Sequence, residues 1–205
     1  RVVEARRSVR RYDRERPVTL RQLGEFLYRV GRLADFQQLR APAPGGPVSL
    51  MLAARPYPSG GGLYELELYP VLHRCDGAEP GLYRYDPERH ALEPYAGLTD
   101  DVLRLLRSAD WTGRRDADNV QVLLVVASRF GRLAWKYEGL AYALTLKHVG
   151  VLYQSMYLAA TAMGLAPCAL GTGDGDLFAR AAGVDYYAEP AVGEFLLGSR
   201  PHDGG

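Results

Sequence analysis

The feature that most constrains the fold is a long helical pattern, from about Glu138 to Met163, with apolar residues on more than one face. The apolar positions are Leu144, Val149, Leu152, Met156, Leu158, Ala159 and Ala162. Such a helix packs in a core or a subunit interface, and Gly164 supplies its end. Lys147, His148 and Gln154 argue against a membrane span. The pattern therefore predicts a long helix that is buried in the core or in a subunit interface.

Around this helix, helical patterns and short apolar runs follow one another in mixed order. Helices are predicted at about 20–31, with Thr19 as N-cap, at 99–108 and at 176–182. Strands are predicted at 66–74, 81–85, 90–95, 120–127 and 192–198. Because the elements do not alternate as βαβ units, we expect an α+β domain with a mostly antiparallel central sheet flanked by helices.

Several segments carry more specific expectations. The continuous apolar run Val120–Ala127 predicts a central strand, whereas Pro70 indicates an edge strand or a bulge in the 66–74 segment. Asp86 and the proline after it predict the turn of a hairpin. The stretch 40–62, with Pro42, Pro44 and clustered glycines, predicts a loop.

Composition limits the classes of function. The chain has 205 residues with 47% hydrophobic content, enough for one substantial core, so 1–205 is expected to form a single domain. The 25 basic and 24 acidic residues nearly cancel, which argues against nucleic-acid or anionic-membrane binding. Two cysteines are too few for a disulfide framework, and no charged-then-apolar leader begins the chain, so a cytoplasmic protein is expected. Whether the chain is a free enzyme or part of a longer one stays open.

The amino-terminal 40 residues are basic, with eleven arginines and five acidic residues. The run Arg6-Arg7-Ser8-Val9-Arg10 combines guanidinium groups with a hydroxyl, the donors that bind a phosphate. A solvated helical surface is the alternative interpretation.

Two further segments carry candidate chemistry. The turn Pro58-Ser59-Gly60-Gly61-Gly62 lets the backbone approach a planar ligand closely, although a flexible loop has the same composition. Lys136 and Tyr137 place two proton-carrying groups side by side before the long helix, and an exposed helix start is the alternative. Only Lys136 and Lys147 are lysines in an arginine-rich chain, which makes Lys136 a plausible choice for chemistry.

Taken together, these segments resemble the FMN-dependent nitroreductase superfamily, and within it the SagB-type dehydrogenases. The hairpin from Gly81 to His90 closely resembles one that marks SagB-type proteins. Glu65 departs from the pattern, since the family usually has a proline there. The resemblance runs from about Arg6 to Pro201, nearly the whole chain, and implies a nitroreductase-like fold.

The resemblance also implies site residues. Lys136 and Tyr137 correspond to an adjacent pair implicated in proton abstraction. The positions expected to bind FMN are Arg6, Ser8, Arg10, Pro58, Ser59, Gly60, Gly61, Gln154, Gly171, Thr172 and Arg200. The glycine turn is expected to reach the flavin across a homodimer interface, while Arg200 has an exposed tail position as its alternative. The four histidines form no ligand cluster in the sequence, so no metal site is expected.

The function implied is FMN-dependent oxidation of thiazoline or oxazoline rings to thiazoles or oxazoles in ribosomally made peptides. Tyr137, assisted by Lys136, would take the Cα proton, and dioxygen would reoxidise the flavin. The implied partners are a modified precursor peptide, a second copy of the chain and a cyclodehydratase. Two alternatives stay open: an FMN-dependent reductase of dehydroamino acids, nitro compounds or quinones, and a non-catalytic module that docks a peptide or a partner.

Overall fold

The computed structural model describes residues 1–41, 45–113 and 120–201. The helices are α1 (Val2–Ala5), α2 (Leu20–Gly31), α3 (Asp100–Gly113), α4 (Gly131–Tyr137), α5 (Ala141–Ala162) and α6 (Gly175–Ala182). The strands are β1 (Asp35–Ala41), β2 (Val48–Ala54), β3 (Leu66–Leu72), β4 (Gly81–Asp86), β5 (Ala91–Ala96), β6 (Val122–Ser128), β7 (Leu165–Leu170) and β8 (Ala191–Ser199). Short 3-10 turns lie at Gly60–Gly62 and Glu138–Leu140.

The main sheet has the strand order β5-β4-β3-β6-β8-β7, and each neighbouring pair is antiparallel. β1 and β2 form a separate antiparallel ribbon. The predicted α+β fold with an antiparallel central sheet flanked by helices is therefore confirmed.

Hydrophobic cores lie on both faces of this sheet. On one face, α2 and α5 pack against β6 side chains such as Val122 and Leu124. On the other, α3 and α6 pack against alternate side chains such as Leu123 and Val125. Since successive side chains of a strand point to opposite faces, a strand buried on both sides needs an unbroken apolar run. This explains the run that predicted a central strand, and β6 is that strand.

Local signals also placed α2 and the hairpin correctly. Thr19 forms a capping box with Gln22, whose backbone N–H donates to the Thr19 hydroxyl at 3.2 Å. β4 and β5 pair through the turn that begins at Asp86.

α5 ends before Gly164, which has a left-handed φ of 69°. Its buried side faces the sheet, while Lys147 and Gln154 are exposed. None of the described helices combines the length and apolar character needed to cross a membrane.

Two expectations were wrong, and one strand was not predicted. The segment 40–62 was predicted as a loop, yet it contains β2, which pairs with β1; Pro42 and Pro44 lie outside the described residues. Pro70 does not mark an edge strand, because β3 pairs with β6 along its whole length and with β4 at Val71 and Leu72. Pro70 is tolerated because it lies beyond the short β4 pairing. Residues 165–170, for which no strand was predicted, form the edge strand β7.

Candidate functional site

The glycine turn directly before β3 has a backbone that only glycine adopts without strain. Gly61 and Gly62 have φ values of 63° and 65°. Ser59 holds the turn, because its carbonyl accepts from Gly62 N–H at 3.2 Å and its hydroxyl accepts from Tyr64 N–H at 3.1 Å. The predicted ligand turn is thus an ordered element that leads into a buried strand.

The predicted catalytic pair lies over this turn in the same chain. A Cβ atom added to Gly61 would stand 2.6 Å from Lys136 Nζ and 3.0 Å from the Tyr137 hydroxyl oxygen. A side chain at Gly61 would therefore displace both groups. The structure brings together Lys136, Tyr137, Gly60 and Gly61, which are separated by about 75 residues of sequence. Lys136 is exposed in the single chain, and Tyr137 is half-buried.

A histidine–carboxylate pair contacts the glycine turn, and the sequence analysis did not predict it. His148 Nε2 lies 2.8 Å from the backbone nitrogen of Gly60, and His148 Nδ1 lies 2.7 Å from Glu65 Oε1. Both side chains are buried. The one available signal was Glu65 itself, an acidic residue where the family usually has a proline.

A charged cluster fixes α4, the helix that ends in Lys136 and Tyr137. Arg132 lies 3.0 Å from the buried carboxylate of Glu67 and donates to the carbonyl of Tyr64 at 3.0 Å. Arg129 and Arg84 approach the same carboxylate at 3.5 and 3.7 Å. A buried carboxylate needs such partners, and here they tie α4 to the strand that follows the glycine turn.

The amino-terminal segment runs along the edge strand β7. Val9 N–H donates to the carbonyl of Pro167 at 2.8 Å. Ser8 Oγ lies 2.7 Å from the hydroxyl oxygen of Tyr157, which also accepts from Ala169 N–H at 2.8 Å. The Arg6 guanidinium lies 5.0 Å from the centroid of the Tyr157 ring. Tyr157, which the sequence analysis missed, therefore links this segment to α5.

The remaining predicted FMN ligands are distributed along β7 and beyond it. Arg200 Nε donates to the carbonyl of Leu165 at 2.9 Å, at the start of the strand. Arg10 is exposed. Gln154 is exposed on α5 and does not belong to the described lining of the cavity beyond the strand.

That cavity, of about 510 Å³, opens where β7 ends. Gly171, Thr172 and Gly173 form one wall, and aromatic side chains such as Tyr142 and Tyr153 line the others. Glu194 of β8 also lines it, and burial raises the pKa of this carboxyl to about 7. A Cβ atom at residue 173 would overlap this carboxylate, so a larger residue there would require Glu194 to move.

The donor set fits an elongated phosphate-bearing flavin in part. Guanidinium and hydroxyl groups from Arg6, Ser8 and Arg200 lie along β7, and an aromatic cavity large enough for a planar ring follows at Gly171. Within one chain, the described residues of the glycine turn do not line this cavity. The glycine turn contacts α5 at His148, whereas the amino-terminal segment contacts α5 at Tyr157. These two residues are nine positions apart, or about two and a half helical turns, so they lie on opposite sides of the helix and about 13 Å apart along its axis.

Among the described residues, no group of three or more His, Cys, Asp or Glu side chains is placed to hold a metal ion. The polar atoms of the candidate site are instead guanidinium, ammonium, hydroxyl and imidazole groups. These groups suit an anionic organic ligand and proton transfer.

Comparison with known proteins gives a consistent result. The family model described as "Nitroreductase family" matches residues 3–198. A protein of Methanocaldococcus jannaschii named as a nitroreductase is 29% identical over 170 residues, which cover 83% of this chain and 76% of that protein. The microcin B17-processing protein McbC of Escherichia coli is 32% identical over 115 residues, 54% of this chain and 42% of McbC. This chain therefore matches less than half the length of McbC.

Among solved structures, the fold is similar to that of a chain in the E. coli microcin synthetase McbBCD complex with truncated pro-MccB17 bound. The TM-score is 0.73 at 22% identity, and the match covers 94% of this chain and 67% of the other. At this identity the likeness concerns the fold.

Proposed function

The chain belongs to the nitroreductase family, and from that premise we propose that it oxidises thiazoline or oxazoline rings of a peptide to thiazoles or oxazoles with FMN. Members of this family are flavin-dependent oxidoreductases, so the superfamily prediction is confirmed. The SagB-type subdivision and the ring substrate remain predictions.

The observation that carries the proposal is the convergence of Lys136 and Tyr137 on the glycine turn. Their polar atoms would lie 2.6 and 3.0 Å from a Cβ at Gly61, so the absence of that atom leaves room for both. Lys136 Nζ lies 5.4 Å from the centroid of the Tyr137 ring, so two proton-carrying groups lie together beside the turn. This arrangement suits a general base better than a passive binding surface.

Aromatisation of an azoline ring removes a proton from Cα and a hydride from Cβ. Tyr137 takes the Cα proton on its hydroxyl oxygen, and Lys136 stabilises the phenolate that accepts it. Bound FMN supplies the two-electron acceptor that this oxidation needs. Arg132 and Glu67 hold α4, so both catalytic side chains keep their place over the turn.

In this proposal, residues along the edge strand β7 bind FMN. Arg6 and Arg200 supply guanidinium groups for the phosphate, and Ser8 supplies a hydroxyl for the phosphate or the ribityl chain. Gly171 and Thr172 line the cavity that would receive the ring system. Arg10 and Gln154 are exposed and can contribute to binding only if a second chain or a ligand covers them.

A second copy of the chain would complete the site. Large apolar side chains are exposed on α4, α5 and the turn between them: Trp135 at 59%, Leu140 at 66%, Tyr142 at 60% and Leu146 at 46%. Exposed apolar groups of this size mark an interaction surface, and two of them, Tyr142 and Leu146, line the 510 Å³ cavity. A homodimer through this face would carry the glycine turn of one chain toward the cavity of the other.

The substrate class is supported by the relatives. McbC is named as the processing protein of microcin B17, and the structural neighbour is part of a synthetase complex with truncated pro-MccB17 bound. These names support a modified precursor peptide as the substrate and a cyclodehydratase as a partner. The M. jannaschii relative, which is named as a nitroreductase and is matched over 76% of its length, keeps a reductase as the second candidate function.

The test uses purified protein loaded with FMN and a synthetic peptide that contains one thiazoline ring. We expect dioxygen uptake and a product lighter by two hydrogen atoms. Lys136→Ala and Tyr137→Phe should each lower the rate about a hundredfold to ten-thousandfold at unchanged flavin content.

Lys147→Ala is the matched control, because Lys147 is the other lysine and is exposed on α5. Undiminished azole formation by the Lys136→Ala, Tyr137→Phe double variant would refute the assignment. Consumption of NAD(P)H with no azole product would favour a reductase, and failure to take up FMN would favour a docking module.

A further inference from the structure

We propose that Glu65 and His148 form a positioning pair that holds the glycine turn against Tyr137 and thereby sets the efficiency of proton transfer. The inference deepens the proposed function and rests on it for its catalytic consequence. Its structural part stands on hydrogen bonds in the single chain.

The hydrogen bonds assign the protonation of the imidazole. Gly60 N–H can only donate, so His148 Nε2, at 2.8 Å, accepts and carries no proton. The proton of the neutral ring is therefore on Nδ1, which donates to Glu65 Oε1 at 2.7 Å. Glu65 is fully buried, so its carboxylate accepts this hydrogen bond without contact with solvent.

His148 is a positioning residue and not the base. Both of its ring nitrogens are engaged, one by the backbone of Gly60 and the other by Glu65, which leaves neither free for a substrate proton. Glu65 is engaged as well: its second oxygen, Oε2, lies 3.4 Å from the hydroxyl of Ser59, which binds the far end of the turn through Tyr64 N–H. The pair therefore holds the turn at both ends.

The glycine turn also lies close to the catalytic pair, Lys136 and Tyr137. A Cβ at Gly60 would lie 3.3 Å from the Cε1 and Nε2 atoms of His148 and 3.5 Å from the hydroxyl oxygen of Tyr137. The imidazole and the phenol thus flank the same backbone atom. The neighbouring Gly61 makes the equivalent approach to Lys136. Displacement of the turn would open space beside the phenol and the ammonium, and a misplacement of about 1 Å can cost about a hundredfold in rate.

The first measurement is amide hydrogen exchange at Gly60 by NMR, on the full-length chain loaded with FMN. His148→Phe keeps a ring of similar shape but removes the acceptor, so exchange at Gly60 should accelerate about tenfold, the equivalent of one hydrogen bond. His73→Phe, a histidine on a different segment that contacts the carbonyl of Val120, is the control. Unchanged exchange in His148→Phe would overturn the proposal.

Glu65→Gln is a second variant that tests the tautomer. A glutamine oxygen at this position can still accept from Nδ1, and Gly60 N–H still needs an unprotonated Nε2, so the variant should keep the tautomer while it loses the negative charge. We expect nitrogen-15 chemical shifts to report the Nδ1-protonated ring in both the wild type and the variant. A wild-type ring protonated on Nε2 would contradict the assignment. This variant also serves if His148→Phe does not fold.

The second measurement is the rate of azoline oxidation. His148→Phe should lower kcat about tenfold to a hundredfold with little change in KM for the peptide. His148→Gln, whose side-chain oxygen can accept from Gly60 N–H, should recover part of the rate. Faster exchange at Gly60 with an unchanged kcat would overturn the link to Tyr137. If the wild-type protein oxidises no azoline, the proposed function fails, and the exchange experiment alone decides whether the pair holds the turn.

Discussion

Replacing Glu194 by Gln is expected to stabilise the protein above pH 7 and to change its stability little near pH 4. The carboxyl lines the cavity beside Gly173, and burial raises its pKa to about 7 from an ordinary 4.5. Below about pH 4.5 the group is protonated in both the native and the unfolded chain. Between about 4.5 and 7 the unfolded chain releases the proton while the native state keeps it, so the native state loses stability as the pH rises.

The magnitude follows from the difference between these pKa values. Each tenfold difference in proton affinity is worth about 1.4 kcal/mol. Because the side chain keeps some contact with solvent, we expect a loss of about 2–3 kcal/mol in the free energy of unfolding of the wild type, complete above about pH 7. Because the amide of Glu194→Gln stays neutral at every pH, the variant should not show this loss in the free energy of unfolding.

The assay is urea unfolding of both proteins at about pH 4 and about pH 8. The variant should gain about 2–3 kcal/mol relative to the wild type between the two conditions. Glu88→Gln, which changes an exposed carboxyl, should show no such dependence. If the difference between Glu194→Gln and the wild type is the same at both pH values, the assigned burial of Glu194 is wrong.

Four further variants test the geometry of the site. Gly61→Ala and Gly62→Ala both place alanine at a left-handed φ and should lose about 1–2 kcal/mol in stability. Only Gly61→Ala should also lower turnover, because only there would the new atom force Lys136 and Tyr137 to shift; equal turnover in both would contradict the packing. Tyr157→Phe leaves a backbone N–H of β7 without its acceptor and should cost about 1–3 kcal/mol in thermal or urea unfolding, with weaker FMN binding measured by fluorescence. Arg132→Met removes one partner of a buried carboxylate and should lower both stability, by about 1–3 kcal/mol, and kcat; a variant with normal kcat would show that α4 is held by other contacts.

The accuracy of the sequence predictions followed the range of the interactions concerned. Thr19 and the helix after it depend on hydrogen bonds within three residues, and the hairpin at Asp86 depends on one turn, so local patterns suffice. β2 and β7 were missed, because they become strands through partners that the local sequence does not identify. β7 even contains Pro167, which weakens its strand signal but is tolerated at the sheet edge.

For the site, the sequence alone determined which residue types were available: the two rare lysines, the adjacent tyrosine, the triple glycine and the amino-terminal arginines. Resemblance to a family assigned them roles, and the nitroreductase membership is established. Only the tertiary structure decided which of these groups meet. Lys136 reaches Gly61, and His148 reaches Glu65 across 83 positions, because α4 and α5 pack beside the start of β3. Contacts between such distant positions depend on how whole elements dock, and no periodicity or local motif encodes that arrangement.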